Sequence, residues 1–348
     1  MPFDPHPPQA ATVTVRPRAV AAWLAGVAAM VWAMVALGGA TRLSGSGLSI
    51  MEWAPIMGTL PPLSDHEWRR LYDLYRTIPQ YALVNQGFGI EGFKAIFWLE
   101  YLHRLWGRLI GLAYALPLAW FWWKRAIPAW IRPRLLLLLA LGALQGAIGW
   151  YMVASGFEAG RTAVSPHRLV LHLGLAFVIF ALLADAALRL AWPRTPGAPR
   201  AARRALALAL GLAAASMLAG GFVAGIRAGL DYNTFPLMDG RLVPAGYLGT
   251  VPWWAALTGD IATVQFNHRG LATATLLATA AALALAWRQP RLRPVALLFA
   301  LAVAAQYALG IATLLHMVPL GLGTLHQALA VGVLATGVAA VHAARPPP

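Results

Sequence analysis

The sequence predicts an all-α integral membrane protein whose eight transmembrane helices form two pseudo-symmetric four-helix bundles. Three observations carry this expectation. Of the 348 residues, 59% are hydrophobic and only 11% are charged, against about 25% charged in a soluble globular chain. Eight segments each supply the roughly 20 apolar residues that a helix needs to cross a bilayer core. Short motifs of the first half return, in the same order, in the second. Cysteine is absent, which excludes disulfides, thiolate metal sites, iron–sulfur clusters and covalent CxxCH heme attachment.

The expected spans are 19–39, 95–123, 135–154, 166–192, 205–225, 261–287, 295–315 and 320–341. Basic residues set their direction. Arg16 and Arg18 precede the first span, and Lys124, Arg125, Arg132 and Arg134 lie between the second and third. Arg189, Arg194, Arg200, Arg203 and Arg204 surround the Pro-rich stretch "RLAWPRTPGAPRAARR". Arg288, Arg291 and Arg293 follow the sixth span, and Arg345 the eighth. The positive-inside rule puts these segments and both termini in the cytoplasm. Two long loops, about 40–94 and 226–260, fall on the opposite face with most of the acids. The net charge of +15 is therefore a topology signal and no footprint of nucleic acid. The opening "MPFDPHPPQAATVTVRPR" reads as a polar tail, neither a cleavable signal nor an Arg/Ser-rich transit peptide. The expected location is a bacterial inner membrane. The expected division is a cytoplasmic tail 1–18, a bundle 19–193, a linker 194–204, a second bundle 205–342 and a tail 343–348.

The two bundles read as a duplication. "EYLHRLWGRL" in the second span matches "QFNHRGLATA" in the sixth, setting Glu100-x-x-His103-Arg104 against Gln265-x-x-His268-Arg269. "LQGAIGWYM" matches "AQYALGIAT" through Gln145 and Gln306 and through Gly149 and Gly310. "VSPHRLVLHLGLA" matches "VPLGLGTLHQALA" through His172 and His326. Three matches in one order mark a repeated four-helix unit, and an even number of spans makes it a parallel repeat.

Each half thus offers two histidines, His103 with His172 and His268 with His326. All four fall about eight residues into helices entering from the non-cytoplasmic side, a depth of roughly 12 Å at about 1.5 Å per residue. Two imidazoles at equal depth on facing helices make a bis-histidine heme clamp. A lone intramembrane histidine is more often a helix-to-helix hydrogen-bonding residue; two repeat-related pairs reverse those odds. Two His and no Cys per half are too few for a closed zinc or copper site. His6, His66, His167, His316 and His342 fall in tails, loops or span ends and read as interfacial or solvated. Arg42, Arg104, Arg227 and Arg269 stand near the non-cytoplasmic ends of spans. There they can pair with heme propionates or, equally, with loop acids.

The stretches "GGATRLSGSGLSIMEWAPIMGTLPP", "FKAIFWLEYLHRLWGR", "GWYMVASG", "VSPHRLVLHLGLA", "QFNHRGLA" and "VPLGLGTLHQ" resemble heme A synthase, from about Gly38 to the last span. The resemblance implies two four-helix bundles and an enzyme that oxidises a ring methyl of heme O to a formyl by successive hydroxylations, giving heme A for cytochrome oxidase. It implies substrate heme iron at His103 and His172 and a heme b cofactor ligated by His268 and His326. It also names heme O synthase and cytochrome oxidase assembly factors as partners, with an electron donor unspecified. Glu100, one turn before His103, faces the same way and answers to Gln265, which cannot ionise. Glu100 is therefore the expected catalytic carboxylate, shuttling protons or positioning the methyl, the alternative being a structural pair with Arg104, Arg108 or Lys94. The first long loop, cysteine-free here, is expected to form short amphipathic helices over the bundle. Two other classes stay open. An electron-transfer b-type cytochrome would hold permanent hemes near both faces, and a heme transporter would need a broken helix.

Overall fold

The computed structural model describes residues 16–54, 56–192 and 198–346. Most of the N-terminal tail, with His6, the linker position Arg194 and the last two residues lie outside the described residues. Those described fold into eleven α-helices with short 3-10 turns, and their only strand-like feature is an isolated bridge between Met238 and Arg241. The helices are α1 (Pro17–Leu43), α2 (Asp65–Tyr75), α3 (Pro79–Leu83), α4 (Ile90–Trp123), α5 (Arg132–Ala154), α6 (Pro166–Ala191), α7 (Arg200–Gly225), α8 (Trp253–Gly259), α9 (Ile261–Ala286), α10 (Arg293–Leu315) and α11 (Leu320–Ala344).

Local chemistry explains where they start. Proline stands in the first turn of α1, α3, α5, α6 and α10, where its missing N–H has no helical partner to lose. Asp260 caps α9 by accepting from the Thr263 N–H at 2.7 Å. Ser64 does the same for α2 through the Glu67 N–H at 3.2 Å, the start of a capping box. Pro117 lies inside α4 and the helix runs through it.

Seven helices, α1, α5 to α7 and α9 to α11, are long and apolar enough to cross a membrane. The remaining expected span, 95–123, is helical throughout within α4 but falls outside that set. Glu91, Lys94, Glu100, Arg104 and Arg108 dilute its 34 residues. A multi-pass membrane protein follows from the seven alone.

The long helices pack in a defined order. α1 lies against α4, α6 and α11; α7 lies against α6, α9 and α11. α5 packs on α6, and α10 on α9 and α11. Buried positions on α1 follow a helical stripe, Val20, Leu24, Val27, Val31 and Val35, and form one core with Phe177, Phe180 and Leu183 of α6 and Val331, Leu334 and Val338 of α11. The other face of α11, with Val333, Ala340 and Ala343, joins Leu206 and Ala209 of α7 and Phe299 of α10 in a second core. Indole N–H groups stitch helices to backbone carbonyls. Trp23 donates to Ala113 at 2.8 Å, Trp106 to Met30 at 2.9 Å and Trp32 to Ala328 at 2.7 Å.

Two adjacent glycines of α1 face different neighbours. A methyl group at Gly38 would lie 2.9 Å from His103 of α4, and one at Gly39 would lie 2.7 Å from Gln327 of α11. Gln327 donates to the Val35 carbonyl at 2.9 Å. Gly220 and Gly221 of α7 repeat the arrangement, the first facing His268 of α9 and the second facing Val170 of α6.

At the Arg-rich end, Asp185 of α6 is buried. It accepts from Arg134 of α5 at 2.5 Å, from Arg189 at 2.7 Å and from Arg345 at 3.0 Å. His342 corrects a sequence expectation. It is no solvated tail residue: α11 extends through it, it is 1% exposed, and its Nε2 lies 3.2 Å from the Trp192 carbonyl. Helix α7 likewise starts at Arg200 and takes in Arg203 and Arg204 from the expected linker. At the opposite end, the first long loop forms α2 and α3. Trp68, Leu71 and Tyr75 share one face of α2 and bury against Phe93 and Phe97 of α4.

Candidate functional site

Each of the four histidines singled out by the repeat rests against a glycine on a neighbouring helix. A methyl group at Gly38 or Gly220 would approach the His103 or His268 Cε1 to 2.9 Å. At Gly149 it would come within 3.0 Å of the His172 Cε1, and at Gly310 within 2.9 Å of the His326 Cε1. Hydrogen in place of Cβ is thus what lets the Cε1 edge of each ring approach its neighbour's backbone this closely. The pattern is the same in both halves. The first long helix seats the histidine of the second, and the third seats that of the fourth. His103 and His172 are electrostatic neighbours, as are His268 and His326. Each expected pair thus lies within range of mutual charge interaction.

Hydrogen bonds then orient the rings. The His268 Nδ1 lies 3.0 Å from the Ser216 carbonyl. Because a carbonyl only accepts, the proton belongs on Nδ1 and the Nε2 lone pair is left for a metal. Gln145 donates to the His172 carbonyl at 3.0 Å and lies 3.2 Å from its Nδ1. Gln306 donates to the His326 carbonyl at 3.0 Å and lies 3.5 Å from its Nε2. Buried polar atoms without a partner collect here: Nδ1 of His103 and of His326, and Oε1 of Gln145 and of Gln306. No group of three or more His, Cys, Asp or Glu is placed to hold a bare metal ion among the described residues. Paired imidazoles over glycine-lined walls fit a flat iron macrocycle instead.

One turn before His103, Glu100 is buried at 3% exposure and ties α4 to the first loop. Its Oε2 accepts from the Ser49 N–H at 2.6 Å, the Ser49 hydroxyl at 2.8 Å and the Ile50 N–H at 3.0 Å. Its Oε1 accepts from Arg104 Nε at 3.0 Å and Nη2 at 2.6 Å. Arg104 also donates to the Glu52 carbonyl at 2.9 Å and to that of Ile50. Gln265 does the equivalent work with the opposite polarity. Its Nε2 donates to the Ala228 and Asp231 carbonyls at 2.6 and 2.7 Å, and its Oε1 accepts from Arg269 at 2.6 Å. Arg269 in turn donates to the Tyr232 carbonyl at 2.6 Å and that of Thr234 at 2.9 Å.

The arginines expected near propionates therefore divide. Arg104 and Arg269 hold loop carbonyls, although the Arg269 Nε, like that of Arg42, is buried without a partner. Arg42 reaches from α1 to the last turn of α7, donating to the Ala224 carbonyl at 3.2 Å and that of Gly225 at 3.3 Å, while its Nε is buried without a partner. Arg227 stands close by, near enough to feel the Arg42 charge, on a left-handed backbone turn at φ 57°. Sequence reasoning passed over the seats Gly38 and Gly220 and the loop residue Ser49. The doublets "LGGAT" and "AGGFV" were a readable signal for the first two.

The sequence pattern of the cytochrome oxidase assembly protein family matches residues 21–338. The chain belongs to this family. A heme A synthase of Granulibacter bethesdensis is 53% identical over 329 residues, 94% of this chain and 87% of the relative. One of Rhodospirillum centenum is 48% identical, covering 95% of this chain and 90% of its own length. One of Caulobacter vibrioides is 48% identical, covering 95% and 98%. No solved structure matches the chain.

Proposed function

We propose that this family member is a heme A synthase, an oxidoreductase that converts a ring methyl of heme O to a formyl group. The observation that carries the reading is the fourfold seating of histidine on glycine, in a chain about half identical to proteins of that name. In this reading α4 is the eighth span, and two four-helix bundles, 19–193 and 205–342, lie in a bacterial inner membrane with both termini cytoplasmic. The packing order supports it, since α1, α4, α5 and α6 are consecutive neighbours, as are α7, α9, α10 and α11.

His103 and His172 would hold substrate heme O, and His268 and His326 would hold a resident heme b. The heme b supplies an electron-transfer centre when bound. Ser216 fixes the His268 tautomer, Gln306 holds the backbone at His326, and the glycine seats set both ring planes. Arg42 and Arg227 retain positive charge for a propionate. Glu100, with both carboxylate oxygens engaged, acts first as a positioning residue that holds loop residues Ser49 and Ile50 above His103. It can take a proton near the reacting methyl only after Oε2 lets go of Ser49.

The test is the heme content of protein co-expressed with a heme O supplier, by extraction, chromatography and mass detection, for wild type and Glu100→Ala. Heme A or a hydroxylated intermediate beside heme b, falling away in the variant, supports the reading. Heme b alone in both, about two per chain for two bis-histidine clamps, replaces it with an electron-transfer cytochrome.

A further inference from the structure

The two halves differ at one seam. Aligning His103 with His268 and Gln145 with Gln306 sets α4 against α9 and α5 against α10. Along the α9/α10 seam, the hydroxyls of Thr273 and Tyr307 are hydrogen bonded at 3.0 Å, and Val303, one turn before Tyr307 on α10, is buried. At the α4/α5 seam the same positions hold Gly142 for Val303, Gly146 for Tyr307 and Arg108 for Thr273. Gly142 and Gly146 are both exposed, and nothing lies within 4 Å of a methyl group built at either.

Helix α5 buries only Leu135 and Leu138, both in its first two turns. There Tyr114 of α4 donates to the Leu135 carbonyl at 2.7 Å. Beyond this hinge-like attachment α5 touches α4 lightly. Gly142 and Gly146 lie on the stripe that continues to Gly149, the seat of His172. Next to Gly146, the buried Gln145 Oε1 has no partner, and neither has the His103 Nδ1. These two atoms belong to the two helices that border the seam. At the loop end it is spanned from both sides. The Trp53 ring meets that of Trp150 on α5 at 6.1 Å, while Arg108 of α4 donates to the Ala54 carbonyl at 2.9 Å.

We propose that the α4/α5 seam is a lateral portal through which the substrate heme passes between the bilayer and its chamber. The inference rests on the synthase reading above. A resident cofactor is retained behind closely packed helices, and a substrate needs a wall that parts. Glycines at the two positions where the other half places Val303 and Tyr307 leave that wall unfilled. Because interiors are close-packed, a macrocycle cannot cross the α9/α10 seam without breaking contacts.

The experiment fills the seam stepwise. Gly146 is replaced by Ala, Val, Leu and Tyr in the heme b-loaded protein, and uptake of added heme O from detergent micelles is followed by rapid mixing and extraction. Uptake is expected to slow with side-chain volume, by about tenfold or more at Tyr because entry then requires a conformational opening, with heme b content unchanged. In the converse variant, Tyr307→Gly, heme b should pass faster to apomyoglobin. Equal uptake rates across the Gly146 series, Ala included, overturn the portal. Failure of the wild type itself to take up heme O overturns the synthase reading and leaves the seam unneeded. Should Tyr at position 146 lower heme b content, the decision falls to Ala and Val, for which the gap has room.

Discussion

Glu100 and Gln265 hold the same station in the two halves, four residues before Arg104 and Arg269, yet they bind their loops with opposite polarity. Glu100 accepts from two backbone N–H groups, and Gln265 donates to two backbone carbonyls. Each loop has its own fold, and the side chain matches the backbone groups that the loop turns inward. The carboxylate–amide difference therefore has a structural cause as well as any chemical one.

Substitution at the two positions should differ in outcome. Glu100→Ala leaves Arg104 and two backbone donors without their acceptor and should destabilise the first loop by about 3–5 kcal/mol, the range for breaking a buried pair. Hydrogen exchange at Ser49 and Ile50 measures it. Gln265→Glu sets a carboxylate against two carbonyl oxygens, and heme b content should fall sharply. Unchanged heme b would show that the Gln265 anchor does not shape the second chamber.

The glycine seats give a cleaner division. Gly220→Ala and Gly310→Ala push methyl groups to 2.9 Å from imidazole carbon, an overpacking worth about 1–3 kcal/mol, and should lower heme b content. Gly38→Ala and Gly149→Ala should leave heme b in place and stop conversion of heme O. Loss of heme b from all four alike would mean that the seats serve the fold as a whole.

Gln306→Leu removes the donor to the His326 carbonyl and should loosen that ring, at about 1 kcal/mol for the lost bond. The low-temperature paramagnetic resonance spectrum of the oxidised heme b, which senses the angle between ligand planes, should broaden. A spectrum identical to wild type would remove Gln306 from the ligand-orienting set.

A pH effect is expected in the first loop. The hydrogen bond from Arg70 to Glu52, 2.7 Å long, holds the Glu52 carboxyl below its ordinary value of 4.5. A group depressed in the folded state adds stability above its unfolded pKa and loses it as pH falls through the folded one. Both partners are well exposed, so the gain stays within about 1 kcal/mol. Arg70→Ala should speed proteolysis of this loop at neutral pH, with no difference from wild type once Glu52 is protonated. A difference that persists in acid would point to packing by Arg70 instead.

Much of the fold was legible because span length and basic flanks are read from composition alone. The expected span 166–192 differs from α6 at its last residue only, and 261–287 differs from α9 in the same way. Helix α4 was harder, because the residues that hold the loop, Glu100, Arg104 and Arg108, are those that lower its apolarity. Of the site, the four histidines were visible through their repeat spacing. Of their glycine seats, Gly149 and Gly310 entered only as repeat matches and Gly38 and Gly220 not at all, since a glycine in a membrane helix has many ordinary explanations. His342 was misjudged for want of three-dimensional information, namely that Trp192 and Asp185 fold over the end of α11. The filling of both Glu100 oxygens was likewise invisible, because Ser49 and Ile50 are 51 and 50 residues away.

The glycine pair of α1 has a mechanical consequence. Gly38 seats His103, and Gly39 receives Gln327, the immediate chain neighbour of His326. Any tilt of His103 would press on a helix whose next residue bears on α11, the helix that carries His326. Gly220 and Gly221 make the return path, from His268 to the turn of α6 that carries His172. Were occupancy of one chamber to alter affinity in the other through these contacts, linkage would return the same factor in the opposite direction.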